Sequence, residues 1–425
     1  MARAMKDSGI EWIGEIPEGW QLSRLGWCLE EIKEKNDPIK TTNVLSLTNK
    51  LGVIPYEEKG NQGNKAKEDY SQYGLAFENT LVINSMNVLI GSVGISQYYG
   101  CVSPVYYVFK NTDKADLRFI NYLFQNVGFQ KELRKYANGI LEIRLRISSH
   151  DTLRRIIPLP DIREQESICD YLDAECARID GVIEQTRASI EKYRKLKQSV
   201  ITETVTKGIR PGRRMVNSGV DWLGQIPDEW AVFRIANLYD ERNERGTDDL
   251  PILTVSINTG ISDHEIPDEE KDRVVVRSED RTLYKRVCPG DLAYNMMRAW
   301  QGAFGAARVD GMVSPAYIVA KPKKPGILDS RYVEALLRTP SAIEEMHRYS
   351  RGITDFRLRL YWPEFKNICV CVPSIKEQIE IADYIDAKAA EIDTLIQKKQ
   401  QFLDEMESYK KSLIYEYVTG KKEVR

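Results

Sequence analysis

Arg144-Leu145-Arg146 and Arg357-Leu358-Arg359 each set two guanidinium groups two residues apart. In extended backbone that spacing sends both groups to the same side of the chain. Planar guanidinium forks match phosphate oxygens and the edge of a guanine, so the spacing suits a nucleic-acid surface. The first pair lies in a basic stretch. From Lys131 to Arg155, seven cations (Lys131, Arg134, Lys135, Arg144, Arg146, Arg154, Arg155) stand against three anions (Glu132, Glu142, Asp151). The second pair is accompanied by Arg338, Arg348 and Arg351. Asn84 and Asn295, with Arg298 in one copy only, are expected in glycine-flanked loops that could approach bases. The candidate DNA-binding set is therefore Asn84, Lys131, Arg134, Arg144, Arg146, Asn295, Arg298, Arg351, Arg357 and Arg359. The competing interpretation is that these residues form solvated faces or internal salt bridges.

Catalytic patterns are weaker. Ser103-Pro104-Val105-Tyr106 and Ser314-Pro315-Ala316-Tyr317 look like the S/N-P-P-Y/F loop with which amino-methyltransferases grip an exocyclic amine. Both lack the second proline, both sit in apolar runs, and no glycine-rich cofactor loop precedes a helix. No G-x-x-x-x-G-K-[ST] phosphate loop is present. Glu31-Ile32-Lys33 fits a nuclease pattern only as a short chance match in a chain with 29% charged residues. The histidines number three (His150, His264, His347), the seven cysteines include no C-x-x-C, and Cys369 and Cys371 lie in an apolar run where packing is expected. No catalytic residue, metal site or cofactor is expected in this chain.

The elements that must position these residues are written twice. MKDSGIEWIGEIPEGWQLSRL (5–25) matches MVNSGVDWLGQIPDEWAVFRI (215–235) at an offset of 210, which pairs Trp12 with Trp222. Asn84 matches Asn295 at 211, and the Arg-Leu-Arg and Tyr171/Tyr384 segments match at 213. Two copies of one unit usually pack about a pseudo-two-fold axis. The strand signals are 42–54, 250–261 and the uncharged run 81–109, with counterparts at 292–320. A short helix is expected over 117–136 and another over 330–349. The tryptophans of E-W-I-G-E-I-P-E-G-W and D-W-L-G-Q-I-P-D-E-W are expected to anchor an entry segment onto the sheet.

Each copy ends in a long helix, over 165–204 and 378–417. Ile168, Leu172, Ile179, Ile183, Ile190, Tyr193, Leu196 and Val200 recur mostly at three, four or seven residues, as do Ile381, Ile385, Ile392, Ile396, Leu403, Met406, Tyr409 and Leu413. Asp161 with Glu164, and Ser374 with Glu377, each resemble a capping box. At ~1.5 Å per residue such a helix is about 60 Å long, the scale of a spacer or docking spine. If the two lie antiparallel, the globular parts fall at opposite ends. The linker KGIRPGRRMV (207–216) has Gly208, Pro211 and Gly212 to stop the first helix. The net charge of −2 neither favours nor excludes a basic binding face. No apolar run approaches a membrane span and the start MARAMKDSGIEWIG lacks a signal-peptide core, so a soluble, cytoplasmic protein is expected.

The repeated D/E-W-[IL]-G-x-I-P-x-x-W, the V-S-P-x-Y run, and I-P-L-P-D-I-R-E-Q (157–165) or V-P-S-I-K-E-Q (372–378) opening a long helix together resemble the DNA-specificity subunit of type I restriction-modification systems. The resemblance covers essentially all 425 residues. It implies an α+β chain: two pseudo-symmetric mixed α/β target-recognition domains (1–160 and 211–373) separated by two long antiparallel coiled-coil helices (161–210 with the linker, and 374–425). In that family each recognition domain reads one half of a split, asymmetric site in double-stranded DNA. The helices set the gap and dock two methyltransferase subunits, which bring S-adenosylmethionine and methylate adenine N6. Motor-nuclease subunits cut. The chain itself is implied to be non-catalytic. Half-sites one helical turn apart, about 34 Å, need a rigid ruler of this order. The middle sections 55–74 and 262–285 differ, so each half is expected to read a different sequence. The rival readings are a stand-alone methyltransferase or nuclease, distinguished by S-adenosylmethionine binding to the isolated chain, and a coiled-coil scaffold without a nucleic-acid role.

Overall fold

The computed structural model describes residues 3–49, 51–60, 69–139, 145–247, 249–257, 259–266, 283–353 and 357–424. The chain divides into two compact units, Met1–Arg187 with Gln400–Arg425, and Ala188–Lys399. Both are built on the same plan.

In the first unit a four-stranded antiparallel sheet has the order Leu29–Ile32, Tyr106–Asn111, Leu81–Asn84, Val93–Ile95. Leu81, Val82 and Ile83 are fully buried, because both faces of this strand are covered. That is why the strand Leu81–Asn84 carries no charge: it has no solvent face to receive one. Val82 and Val108 pack with Leu45, Leu47 and Val53 of a hairpin made by Leu45–Thr48 and Gly52–Pro55. The second unit repeats the sheet as Tyr239–Glu241, Tyr317–Pro322, Leu292–Asn295, Phe304–Ala306. Here Leu292 and Tyr294 face the helical core while Ala293 faces the hairpin side with Leu253 and Val255. The hairpin comes so close to the sheet that a Cβ on Gly305 would lie 2.2 Å from the Ile261 nitrogen.

Each single short helix expected after the sheet is in fact two. Leu117–Gln125 breaks at Asn126, whose side chain instead caps Val127–Arg134 by accepting from the Gly128 and Phe129 amides. Ser330–Leu337 breaks before Pro340, the first residue of Pro340–Tyr349, which Thr339 caps. A capping side chain or a proline at a helix start ends the preceding helix as effectively as it begins the next.

The tryptophans anchor to helices, a correction to the expected sheet contact. Trp20 packs edge-on to Phe119 and donates its indole N–H to Glu164 at 3.0 Å; Trp230 does the same with Tyr332 and with Glu377 at 3.2 Å. Arg3 and Arg213 reach the same two carboxylates. Hence only half of each capping box forms. Asp161 accepts from the Arg163 and Glu164 amides and Ser374 from the Glu377 amide, while the Glu side chains turn to indole and guanidinium.

Beside each Glu stands a fully buried glutamine. Gln165 accepts from the Asp116 amide at 2.9 Å and donates to the carbonyls of Lys114 and Pro160; Gln378 accepts from Asp329 at 2.9 Å and donates to Ile327 and Pro373. One turn further, Arg118 bridges Asp116, Asp170 and Asp173, and Arg331 bridges Asp329, Asp383 and Asp386. The motif residues that open the long helices therefore clamp each globular part to its helix.

Those helices run Ile162–Lys207 and Ile375–Val418. In the first unit Asp180 meets Lys410 at 2.7 Å, Arg187 meets Glu407 at 2.8 Å and the tilted rings of Tyr171 and Tyr417 lie 4.6 Å apart, so the two segments are antiparallel. In the second, Lys197 meets Asp393 at 2.6 Å and Lys399 lies over Tyr193, again antiparallel. Most of the expected seam is buried, but Leu196 (49% exposed) and Tyr409 (46%) are not. The 3.6-residue period carries a strict seven-residue series gradually off the contact line. Among the described residues no helix is long and apolar enough to cross a membrane, and no group of His, Cys, Asp and Glu could hold a metal ion.

Candidate nucleic-acid interface

Asn84 and Asn295 are strand ends, not loop residues. Each is the last residue of the strand that pairs with the S-P-x-Y segment, opposite Tyr106 and Tyr317 respectively. Both are buried, at 6% and 8% exposure. Their side-chain oxygens are occupied in folding the turn that follows: Asn84 accepts from the Met86 amide at 3.1 Å, Asn295 from Met297 at 3.0 Å. Such side-chain-closed turns are what Asn does readily, so the two residues shape the surface. Burial pushes the Tyr106 and Tyr317 phenols up, which keeps both as neutral hydroxyls.

After each Asn comes a 3-10 turn, Val88–Ile90 or Ala299–Gln301, closed by Gly91 (φ 83°) or Gly302 (φ 90°) in left-handed backbone. A side chain would be strained there. The turns lean on the cation-bearing helices. A Cβ on Gly91 would lie 2.9 Å from the Gln130 side chain of Val127–Arg134, and Trp300 meets His347 of Pro340–Tyr349 at 5.6 Å between ring centroids. Lys131 and Arg134 are exposed on the first of these helices.

The Arg-Leu-Arg segments come to the same place. Asn138 and Arg146 exchange two backbone hydrogen bonds, 2.8 and 2.9 Å, and Arg351 and Arg359 exchange two at 2.9 Å, so each segment is the returning arm of an antiparallel loop. The next residue pins the arm to the turn: the Ile147 amide donates to Ser85 at 3.1 Å and the Leu360 amide to Met296 at 2.9 Å. Ile147 and Leu360 are fully buried, which fixes the flanking residues at the surface.

The described candidates thus lie on neighbouring segments of their own unit, and they differ in availability. Arg146 is exposed. Arg351 pairs with Glu364 at 2.6 Å and Arg359 donates to the Leu358 carbonyl. Arg338 is tied to Glu334 and the Ile257 carbonyl as an internal brace, while Arg348 pairs with Glu345 on its own helix and stays largely exposed. Arg144 lies outside the described residues, as do 61–68 and 267–282 of the divergent middle sections. Two exposed residues carried no signal of their own in the sequence: Ile353, 95% exposed beside Gly352, and Asn87. Asn87 is findable only by aligning the repeats, where it falls opposite Arg298.

No family model matches the chain. Curated relatives do. The chain is 25% identical to the "Putative type I restriction enzyme MjaX specificity subunit" of Methanocaldococcus jannaschii, over 97% of this chain and 96% of that one. It is 22% identical to the type I restriction enzyme MjaVIII specificity subunit of the same organism, over 96% and 94%. Among solved structures, a chain described under complex assembly and conformational transition of the type I R-M system aligns with a TM-score of 0.67 at 15% identity, covering 95% of this chain and 98% of that one. The crystal structure of the HsdS subunit from Thermoanaerobacter tengcongensis aligns at 0.53 and 15%, covering 96% and 98%. In sequence and in fold, over nearly its whole length, this chain is similar to the specificity subunits of type I restriction enzymes.

Proposed function

We propose that the chain is the specificity subunit of a type I restriction-modification complex, a non-catalytic reader of double-stranded DNA that works in the cytoplasm. Each unit grips one half of a bipartite, asymmetric site. The observation that carries this is the convergence in both units of strand-end turn, cation-bearing helix and Arg-Leu-Arg arm. Segments far apart in sequence meet there as one surface, with cations for phosphates and turn side chains for base edges.

The long helices set the gap between half-sites and dock two methyltransferase subunits. In the first unit's part of Ile375–Val418, Phe402 and Tyr409 are exposed about two helical turns apart, and in the second unit's part Tyr384 and Leu395 are exposed about three turns apart. Such spacing puts each pair on one face of its own segment, and an exposed apolar pair suits a protein partner. S-adenosylmethionine binds in those partners, which transfer the methyl group to adenine N6. Base extrusion for that chemistry needs a subunit that holds the flanking duplex in place. Two motor-nuclease subunits complete a restricting form.

The test is to purify the chain with adenine methyltransferase subunits, methylate a random DNA pool and map the modified adenines. A split motif with a non-specific gap is expected; no complex and no chain-dependent methylation would overturn the proposal. Removing whole turns from both long helices should change the gap and leave the half-sites alone. An unchanged gap would mean the helices are not the ruler.

A further inference from the structure

The strand-end turn keeps its backbone plan in both units while most of its side chains differ, and the sharpest change in chemistry is at its first position. Asn87 precedes Val88–Ile90, and Arg298 holds the equivalent place before Ala299–Gln301. The surrounding bonds repeat: the Ser92 amide donates to Asn87 and the Ala303 amide to Arg298, while Asn84 and Asn295 brace the turn from below. The backbone is therefore held by the same bonds, and the side chains it presents differ, from the uncharged Asn87 to the cationic Arg298 at the first position.

Neither side chain makes a hydrogen bond or ion pair among the described residues, although the half-buried Arg298 lies close enough to Tyr317 for its charge to offset part of the upward push of burial on that phenol. An Asn at the start of a helical turn ordinarily accepts a backbone N–H, yet Asn87 makes no such bond and is exposed. The Asn84 oxygen holds the Asn87 backbone instead, accepting from the Asn87 amide at 3.4 Å. Arg298 makes no side-chain hydrogen bond or ion pair among the described residues, whereas nearby Arg338, Arg348 and Arg351 are each paired with a glutamate. The turn also abuts the arm, through Leu360 to Met296 in the second unit and Ile147 to Ser85 in the first. That sets Asn87 and Arg298 beside the surface expected to hold the DNA backbone.

We infer that Asn87 and Arg298 are base-reading side chains that set one position in each half-site, adenine for the first unit and guanine for the second. Asn offers the donor and acceptor that match adenine N7 and N6, and Arg offers two donors that match guanine O6 and N7. The inference rests on the DNA-specificity reading above and adds which residues, and which bases, make the halves differ.

The experiment uses the full complex with methyltransferase subunits and maps motifs for the wild type, Arg298→Asn, Arg298→Lys and Asn87→Arg. Arg298→Asn should move one base pair of one half-site from guanine toward adenine, with guanine preference falling roughly 10- to 100-fold, and leave the other half untouched. Asn87→Arg should produce the mirror change in the other half; being at an exposed position, it carries the test if the Arg298 variants fold poorly. Arg298→Lys should keep affinity and lose part of the discrimination. A wild-type split motif that none of the variants alters overturns the inference and leaves the specificity reading standing. So does weakening that is uniform across sequences, the mark of a phosphate contact. A wild type without any split motif removes both.

Discussion

The clamp at the start of each long helix and the turn at the far end of each sheet were subject to the same duplication, yet they have diverged unequally. At the clamp the two units agree almost atom for atom. Glu164 and Glu377 each take an indole and a guanidinium, Gln165 and Gln378 each make three hydrogen bonds, and Arg118 and Arg331 each bridge three aspartates. At the turn the backbone repeats but Asn87 stands opposite Arg298, and the supporting hairpin shrinks from four paired residues a side to two. A scaffold that must hold two readers in the same way needs identical clamps, and two readers of different sequences need different tips.

The clamps do differ in burial, and the largest expected effects test whether that matters. The Arg213 and Glu377 side chains are 10% and 6% exposed, against 26% each for Arg3 and Glu164. Glu377→Ala strips a nearly buried guanidinium of its buried partner, leaving only the exposed Glu229 at 3.5 Å, and should cost about 3 kcal/mol. Glu164→Ala, where water can replace the lost partner, should cost about 1–2 kcal/mol. Thermal unfolding with hydrogen exchange followed separately in each unit measures both, and equal losses would break the distinction. Gln165→Ala and Gln378→Ala should be alike at about 2–3 kcal/mol, since each glutamine is fully buried and each loss strands an amide and two carbonyls. A unit that tolerates its glutamine loss does not use the clamp as described.

At the other end the comparison turns functional. Arg357→Ala with Arg359→Ala should weaken binding of one half-site by about 10- to 100-fold, the scale of one or two lost guanidinium contacts. Arg144→Ala with Arg146→Ala should do the same to the other half-site only. Competition binding with DNA altered in one half at a time reads this directly. Equal loss at both half-sites from either double variant would contradict two separate readers.

The sequence exposed the parts that depend on local pattern. The apolar period placed both long helices, the repeat pointed to one plan used twice, and the uncharged run 81–109 marked the sheet centre. It did not expose what depends on partners distant in the chain. Trp20 and Glu164 are 144 residues apart, so nothing local distinguishes an indole that packs on a sheet from one that caps a carboxylate. Asn84 looked like a loop residue because Gly91 and Gly94 follow it. Its burial comes from pairing with Tyr106, which only strand register reveals. For the candidate site, composition found the cationic segments and could not tell Arg338, a brace, from Arg146, exposed, because both are simply arginine until their neighbours are placed.

The smallest expected effect bears on the helices themselves. Gly181 lies mid-way along Ile162–Lys207, and at the offset of 213 its counterpart in the second long helix is Thr394, whose hydroxyl donates to the Ala390 carbonyl. Glycine in a helix interior costs about 1 kcal/mol relative to alanine, mostly through the freedom it has when unfolded. A Cβ at Gly181 would meet nothing within 4 Å, so no packing within the chain opposes the change. Gly181→Ala should therefore stabilise the isolated chain by about 0.5–1 kcal/mol, a modest rise in the unfolding temperature of the first unit. The informative outcome is the comparison of that gain with methyltransferase docking. A more stable chain that docks normally makes Gly181 an accident of the first copy. A more stable chain that loses a docked subunit makes the missing side chain a seat for the partner, and explains why one helix keeps a glycine where the other has threonine.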